Sequence, residues 1–505
     1  MNRTSAAACL WLGAAFVVGS LTLTAQERSA DVLVREADSM MSRLQYEDAL
    51  QSYRAAQNAS DVTMRVRAGA GVMHAMLKLG QFADAERQGA EVAARDPQQA
   101  GAVGVYGDAL WSAGLFTEAE ACYDAALKLD PDNPIALHGH GRSLAAQWRP
   151  TEALADVTRA IAADPRQPSY HYTLAMIYEE QHDFKRAADT LAKYLLLLPS
   201  RDESDLTKWA QTREQFLRGF GTRVPYEMVN NKDEIITIPY RMDDGRLLVD
   251  GVVNGRTPVS FALDTGTDQT ILTPGIASKA SVAPAATLQS AGVGVIGYGF
   301  RGLEIARIND LQIGKLHMRN VPTVIKSPSL VGLPRPEGAA FSPLALGYSV
   351  VVDPRKRMLT LSRKLPEASY ATRLPLRMQR LPMVRARING DTSATLAIDT
   401  AGDGTALSRH VARLVDPTTS PGDRVRARVF GSAGWDPTAF LLPFVNIELA
   451  SGVGLSDRSI VVLNLDAPSG LLGFNLGGIL GQDFLQHYVV SLDMTKREFG
   501  LSPIR

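Results

Sequence analysis

The feature that most constrains this chain is a short segment that occurs twice in its C-terminal half. Leu263–Leu272 reads Leu-Asp-Thr-Gly-Thr-Asp-Gln-Thr-Ile-Leu, and Ile398–Leu407 reads Ile-Asp-Thr-Ala-Gly-Asp-Gly-Thr-Ala-Leu. Both copies contain Asp-Thr-x-x-Asp-x-Thr-x-Leu, at an offset of 135 positions. Two similar units are therefore predicted, whose loops bring Asp264 and Asp399 together across a pseudo-two-fold interface.

The residues that flank each copy extend the duplication. Asn254-Gly255 and Asn389-Gly390 each precede the aspartate by ten residues and separate two alternating apolar segments. Asn-Gly in that position predicts a β-hairpin, because both turn residues must adopt positive φ. The far ends also match, since Tyr348–Asp353 aligns with Tyr488–Asp493. The sequence thus predicts one β fold written twice.

With these motifs, residues 245–505 resemble the retropepsin-like aspartic peptidases in a single-chain, two-lobed form. Gly478–Leu485 adds Ile-Leu-Gly, the other half of the signature of that family. The resemblance implies six-stranded, barrel-like lobes with a psi-shaped loop at each aspartate. It also implies a catalytic pair, Asp264 and Asp399, which holds a water molecule beneath hairpin flaps.

The chemistry expected of such a pair follows from electrostatics. Two carboxylates about 3 Å apart do not both ionise at neutral pH, so they share one proton. The charged group then acts as general base on the water, and the neutral group donates a hydrogen bond to the scissile carbonyl. The sequence therefore predicts an aspartic endopeptidase, a hydrolase whose substrate is a protein or peptide.

The resemblance also assigns supporting roles around the pair. The support residues are Thr265, Gly266, Thr400, Ala401, Asp268 and Asp403. The two threonine hydroxyls are expected to bond between the lobes. Asp268 and Asp403 are either supports at the cleft edge that contact the substrate backbone or structural turn residues. Tyr298, in Gly292–Gly299, and Trp435, in Phe430–Trp435, are flap candidates, with ordinary surface hairpins as the alternative.

Two departures from the family pattern leave a second function open. Ala401 stands where the family has glycine, and its methyl group is expected to crowd the threonine network. Ala339-Ala340-Phe341 is taken as the equivalent of Ile-Leu-Gly, so that Phe341 replaces the glycine and narrows the space below the first loop. The alternative to an enzyme is therefore a catalytically inactive adaptor that binds peptides with a degenerate peptidase fold.

The N-terminal half shows a repeat of 34 residues. Pro97, Pro131, Pro165 and Pro199 keep this step, and so do the alanines at 85, 119, 153 and 187. This pattern resembles the tetratricopeptide repeat, each copy of which is a pair of amphipathic helices that stack into a solenoid. Five repeats are predicted between Asp31 and Pro199. Their role is either a groove for a protein partner or a clamp on the peptidase lobes.

The N-terminus and the net charge indicate where the protein is located and which classes of partner it has. Arg3, an apolar run from about Ala6 to Leu23 and Thr24-Ala25-Gln26 predict a signal peptide for periplasmic or secreted export, or else an uncleaved membrane anchor. The formal net charge is zero, which gives no basic footprint for a nucleic-acid partner. Membrane contact is expected only if this segment stays uncleaved.

No cofactor and no metal ion are predicted. Gly292–Gly299 matches G-x-G-x-x-G, but no helical pattern follows it, as a dinucleotide site requires. Walker, His-Glu-x-x-His and Gly-x-Ser-x-Gly motifs do not occur in the sequence.

The predicted fold is thus an all-α solenoid followed by an all-β, two-lobed acid-protease-like fold. The predicted domains are a signal peptide or anchor (1–25), helical repeats (26–200), a capping helix with linker (201–234), lobe one (235–366) and lobe two (367–505).

Overall fold

A computed structural model describes most of the chain. The described residues are 29–230, 235–243, 245–288, 303–326, 338–418, 424–431 and 434–504. The predicted export segment, residues 1–25, lies outside them and stays a prediction. Within the described part, no helix has the length and apolar character that crossing a bilayer requires.

The N-terminal half of the described chain consists of five consecutive helix pairs and one further helix. The pairs are α1 (Ala30–Ser42) with α2 (Tyr46–Ala56), α3 (Val62–Lys78) with α4 (Phe82–Arg95), α5 (Ala100–Ser112) with α6 (Phe116–Leu129), α7 (Pro134–Ala146) with α8 (Pro150–Ala163), and α9 (Pro168–Glu180) with α10 (Phe184–Leu197); α11 (Asp205–Gly219) follows them.

The repeat residues explain how the pairs pack. The alanines at 85, 119, 153 and 187 have no exposed surface, so each second helix approaches its neighbours closely. Each proline at the 34-residue step lies two residues beyond the end of a second helix, because proline cannot continue a helix. The turn inside each pair contains one residue of positive φ, at positions 44, 80, 114, 148 and 182. The predicted helical solenoid is therefore confirmed.

The C-terminal half contains two β lobes. The elements up to the end of lobe one are β1 (Glu227–Met228), β2 (Ile236–Pro239), β3 (Arg241–Asp243), β4 (Arg246–Val253), β5 (Thr257–Leu263), β6 (Thr270–Leu272), α12 (Pro274–Lys279), β7 (Pro284–Leu288), β8 (Leu303–Ile313), β9 (Leu316–Ile325), β10 (Ala339–Phe341), β11 (Ser349–Asp353) and β12 (Met358–Ser362).

Lobe two contains a similar series of strands, with further helices among its described elements. They are β13 (Thr372–Pro375), β14 (Arg377–Gln379), β15 (Leu381–Ile388), β16 (Thr392–Ile398), β17 (Ala406–Ser408), α13 (Arg409–Val415), β18 (Val429–Gly431), β19 (Gly434–Asp436), β20 (Phe440–Ala450), β21 (Val453–Leu463), α14 (Asp466–Leu472), β22 (Gly478–Leu480), α15 (Gln482–Leu485), β23 (Tyr488–Asp493) and β24 (Glu498–Pro503).

Each lobe closes into a six-stranded barrel with the same strand order. In lobe one the order is β4-β5-β10-β6-β9-β8, and β8 pairs back with β4. In lobe two the order is β15-β16-β22-β17-β21-β20, and β20 pairs back with β15. The two barrels match strand for strand, so the duplicated β fold is confirmed.

A shared sheet joins the lobes. Its order is β13-β24-β23-β11-β12-β2, with three strands from each lobe. Val351 of β11 lies opposite Ser491 of β23, and the neighbouring pairs, Val350 with Leu492 and Val352 with Val490, are related by exchange of the two strands. The pseudo-two-fold axis therefore passes between β11 and β23.

The Asn-Gly hairpins form as the sequence indicates. Asn254 and Gly255 have φ of 51° and 70°, and Asn389 and Gly390 have 48° and 86°. Each asparagine side chain also accepts a hydrogen bond from the adjacent long strand, since Asn254 Oδ1 accepts from the N–H of Asp310 at 3.1 Å and Asn389 Oδ1 from that of Asn446 at 2.8 Å. The hairpin turns are thus tied to the barrels.

The helical array rests on the lobes through its intra-repeat turns. At Gly114, the carbonyl oxygen accepts from Thr395 Oγ1 at 2.6 Å. The N–H of Asn475 donates to the carbonyl of Ser112 at 2.7 Å. Two turns further along, the His182 ring lies 4.6 Å from the Tyr226 ring. This edge of the array therefore acts as a clamp on the β lobes.

Candidate active site

The two aspartates occupy equivalent places in the two barrels. Asp264 follows β5, and its N–H donates to the carbonyl of Phe341 in β10 at 3.0 Å. Asp399 follows β16, and its N–H donates to the carbonyl of Leu480 in β22 at 3.0 Å. In each lobe, the last barrel strand in the chain lies between the two strands that flank the aspartate loop. This strand is β10, between β5 and β6, in lobe one and β22, between β16 and β17, in lobe two, as a psi-shaped loop requires.

This register corrects the expected position of Phe341. Phe341 lies opposite Leu263, and Leu480 lies opposite Ile398, so Phe341 corresponds to Leu480 and not to the glycine. The counterpart of Gly481 is Ser342. Phe341 is fully buried, with its ring 6.2 Å from that of Phe261, and belongs to the barrel core. It does not narrow the space below Asp264, because the alignment expected from the sequence is shifted by one residue.

The two threonines link the lobes through reciprocal hydrogen bonds. The N–H of Thr265 donates to Thr400 Oγ1, and the N–H of Thr400 donates to Thr265 Oγ1, both at 3.1 Å. The hydroxyl of Thr265 donates to the carbonyl of Ile398 at 2.6 Å, and that of Thr400 to the carbonyl of Leu263 at 2.9 Å. Both side chains are buried, so the four bonds fix the two loops against each other.

Gly266 lets the second aspartate approach the first loop. A Cβ atom on Gly266 would lie 2.6 Å from Cγ of Asp399 and 2.8 Å from each of its carboxylate oxygens. These distances are too short for any real side chain. The carboxylate of Asp399 is therefore packed directly on the backbone that follows Asp264.

Ala401 does not disturb the second loop. Its N–H donates to Asp399 Oδ1 at 2.8 Å, and the N–H of Gly402 donates to the same oxygen at 3.0 Å. The hydrogen bonds of Thr400 are complete despite the neighbouring methyl group. The predicted crowding of the threonine network is thus wrong, because the backbone N–H of residue 401, rather than its side chain, faces the carboxylate.

Burial changes the acidity of Asp399. Removal from water raises the pKa of its carboxyl group, because the charged form loses solvation, whereas the two backbone donors lower that pKa. The negative charge of Asp403 raises it further. The site therefore favours retention of a proton at this position.

The two supporting aspartates have different surroundings. Asp268 accepts a hydrogen bond from Arg380 Nε at 2.7 Å. The guanidinium of Arg380 lies over the Trp209 ring of α11, 4.7 Å from its centre. Asp403 has an exposed side chain and offers its backbone carbonyl to the N–H of Asp483 at 3.1 Å. Sequence reasoning missed Arg380 and Trp209. Nothing in the sequence near either residue indicates an ion pair between the lobes or a cation–π contact with the helical array.

Only part of the two flap candidates lies within the described residues. Tyr298 and Gly292–Gly299 lie outside the described residues. In lobe two, β18 pairs with β19 as a short hairpin in which Phe430 lies opposite Trp435. Residues 432 and 433 lie outside the described part of the chain, and the side chain of Trp435 is not described.

Comparisons with protein families match segments in both halves of the chain. Residues 74–134 and 138–203 match the tetratricopeptide repeat, and residues 249–333 match the gag-polyprotein putative aspartyl protease family. The chain carries tetratricopeptide repeats in its N-terminal region and a retropepsin-like aspartyl protease domain in lobe one.

Individual relatives cover the repeats. The TPR repeat-containing thioredoxin TTL4 of Arabidopsis thaliana is 28% identical over 154 residues, which are 30% of this chain and 20% of that protein. The match thus spans a fifth of the length of that curated relative. A thermophilic TPR protein of Thermus thermophilus shares 20% identity over 38% of this chain and 99% of its own, with a TM-score of 0.30. PilF of Pseudomonas aeruginosa shares 15% over 38% and 84%, with a TM-score of 0.26.

Proposed function

We propose that this protein is an aspartic endopeptidase that hydrolyses peptide bonds with a water molecule activated between Asp264 and Asp399. The observation that carries the proposal is the reciprocal bonding of Thr265 and Thr400, which holds the two aspartate loops together. The carboxylate of Asp399 lies against Gly266, two residues beyond Asp264. Such a fixed arrangement is what a shared proton and a shared water require.

In the proposed reaction, one carboxylate is charged and the other is protonated. The charged group takes a proton from the water, whose oxygen attacks the carbonyl carbon of the substrate. The protonated group donates to the carbonyl oxygen, and a proton reaches the leaving nitrogen as the C–N bond breaks. The raised pKa of Asp399 supports a protonated group in this pair, and the apparent values belong to the pair as a whole.

The test is cleavage of an unfolded protein such as casein from about pH 3 to about pH 7.5. Asp264→Asn and Asp399→Asn should each lower the rate at least about 100-fold, because each removes an acid–base group. Asp391→Asn, in an exposed hairpin loop, is the matched control and should keep the wild-type rate. Equal cleavage by the wild type and either active-site variant would refute the proposal.

A peptide-binding adaptor is the second candidate, because the two aspartate loops are not identical: Ala401 stands where lobe one has Gly266. In that case, the wild type would bind unfolded segments without cleaving them at any pH. Binding measured by fluorescence anisotropy, together with the cleavage assay, separates the two functions.

The proposal also includes a protein partner for the array and export from the cytoplasm. The clamp occupies the turn edge of the array, and tetratricopeptide repeats suggest protein binding on the faces that stay exposed. Export rests on the sequence of residues 1–25 alone. The N-terminal mass of the mature protein tests it, since cleavage after Ala25 would leave Gln26 first.

A further inference from the structure

The two ends of the proposed cleft carry different charge. At the first, Asp268 is paired with Arg380, and neither side chain is more than 28% exposed. At the second, the exposed side chain of Asp403 has no hydrogen bond or ion pair with another side chain in the described part of the chain. One end is therefore neutralised within the protein, and the other presents a carboxylate to a ligand.

A single position accounts for this asymmetry. Arg380 and Gly245 each stand 19 residues before the aspartate of their lobe, and both have positive φ, 62° and 78°. A Cβ atom on Gly245 would lie 3.8 Å from Asp403 Oδ1. A side chain at residue 245 would thus reach Asp403 as Arg380 reaches Asp268. Because residue 245 is glycine, it provides no positively charged side chain to pair with Asp403.

The helical array adds to the difference. Helix α11 places Trp209 on Arg380 and also contacts β7 of lobe one and α14 of lobe two. Beneath it, Arg213 of α11 is buried and pairs with Glu179 of α9. The Asp268 end is therefore covered by the array and supported by charge pairs, whereas Asp403 remains exposed to solvent.

We propose that Asp403 selects peptides that carry an arginine or lysine side chain a few residues from the scissile bond, on the lobe-two side. The cation of the substrate takes the place beside Asp403 that Arg380 takes beside Asp268. This inference rests on the proposed function and names its substrate class. Arginine should bind better than lysine, because its planar guanidinium can donate two bonds to one carboxylate.

The same contact would also set the direction of the peptide. A pseudo-symmetric cleft accepts an extended chain in either direction with similar backbone contacts. In this cleft, the Asp403 end is negative and the Asp268 end is neutral. The two peptide directions are therefore not equivalent, because only one of them brings a basic side chain to Asp403. An acidic side chain at the same position should be disfavoured by like-charge repulsion.

The test uses matched peptides that differ only in arginine or glutamine, scanned over the positions on both sides of one cleaved bond. The wild type should prefer arginine at one position by about tenfold in kcat/KM, which corresponds to about 1.4 kcal/mol. In Asp403→Asn this ratio should fall below about threefold, and Asp403→Lys should prefer glutamate there. Asp391→Asn is the control and should keep the wild-type ratio.

A binding measurement separates this inference from the proposed function. Asp264→Asn, with and without Asp403→Asn, is titrated with the same peptides, so that selectivity is read without turnover. If no peptide is cleaved but the arginine preference in binding depends on Asp403, the endopeptidase proposal fails and the binding site stands. A preference that is absent at every position, or that is unchanged in Asp403→Asn, overturns the inference.

Discussion

At the residue scale, Gly266 and Asp399 show how the absence of a side chain brings the two loops together. A Cβ on Gly266 would overlap the carboxylate of Asp399, and the Oδ1 atom of Asp399 accepts two backbone N–H groups on its other side. The carboxyl group is thus held between two backbones and is half-buried. The raised pKa of Asp399 is the consequence of this enclosure.

This enclosure predicts how stability depends on pH. A carboxyl group whose pKa is raised by folding stabilises the protein at low pH, and that contribution is lost as the pH rises through the raised value. Asp399→Asn keeps an oxygen acceptor but carries no charge. It should therefore melt at least about 2 °C above the wild type at neutral pH.

The difference should vanish below the ordinary pKa of aspartate, about 3.9. Thermal melts of the two proteins across this pH range measure it, with the exposed Asp391→Asn as a control that shows no such trend. A melting difference that is constant with pH, or that has the opposite sign at neutral pH, would contradict the buried-charge explanation.

At the element scale, the two lobes differ at the residue just after their last barrel strand, which is Ser342 after β10 and Gly481 after β22. Gly481 follows β22, and a Cβ there would lie 2.5 Å from the carbonyl oxygen of Gly404 and 3.0 Å from that of Gly402. Ser342 occupies the same place after β10 and is buried. The first aspartate loop has Thr267 and Gln269 where the second has Gly402 and Gly404. The two loops therefore tolerate different residues even though their strands have one register.

Reciprocal substitutions test this comparison. Gly481→Ser should lower the free energy of unfolding by about 1–3 kcal/mol, because the added atoms force the second aspartate loop to move. Ser342→Gly should cost less than about 1 kcal/mol, since it removes contacts without causing overlap and mainly adds backbone freedom. Denaturant midpoints of the two variants give the comparison, and equal losses would contradict the conclusion that the two loops tolerate different residues at this position.

The same element shows where sequence reasoning reaches its limit. The Ile-Leu-Gly motif is evident in lobe two, but the sequence places its counterpart in lobe one a residue too early. In a strand of three residues, a shift of one exchanges a buried position for its neighbour, and sequence similarity this weak does not decide between them. Only the paired strands, with Phe341 opposite Leu263, settle the alignment.

At the scale of the whole molecule, the array and the lobes form one packed body. Trp111 and Phe116 share a core with Phe474 and Leu476 of lobe two. The Phe116 and Phe474 rings lie 5.0 Å apart, edge to face. Ion pairs surround this contact, including Arg377 with Glu120 at 2.8 Å. The array is thus packed as a structural part of the β lobes as well as being a repeat domain.

Two equivalent turn glycines allow this contact to be measured. Gly80 and Gly114 both have positive φ, 71° and 80°, so alanine is strained by about 1–2 kcal/mol at either position. A Cβ on Gly114 would lie 2.9 Å from the carbonyl oxygen of Asn475, whereas one on Gly80 meets nothing within 4 Å. The difference between the variants therefore reports the docking contact alone.

Gly114→Ala should reduce the free energy of unfolding by at least about 1 kcal/mol more than Gly80→Ala. It should also speed limited proteolysis between the array and the lobes, because the docked edge is loosened. Equal effects in both assays would mean that the turn does not support the lobes.

The sequence alone determined the repeated units of this protein. The 34-residue period specified the helix pairs, and the two Asn-Gly hairpins with their aspartates specified two barrels, because both patterns act through neighbours close in the chain. The tertiary structure alone decided which contacts join those units. The pairing of Arg380 with Asp268, the empty place at Gly245 and the docking of Gly114 on lobe two depend on residues far apart in sequence. Such contacts depend on how the surfaces of separately formed units pack together, and local sequence patterns do not predict that packing.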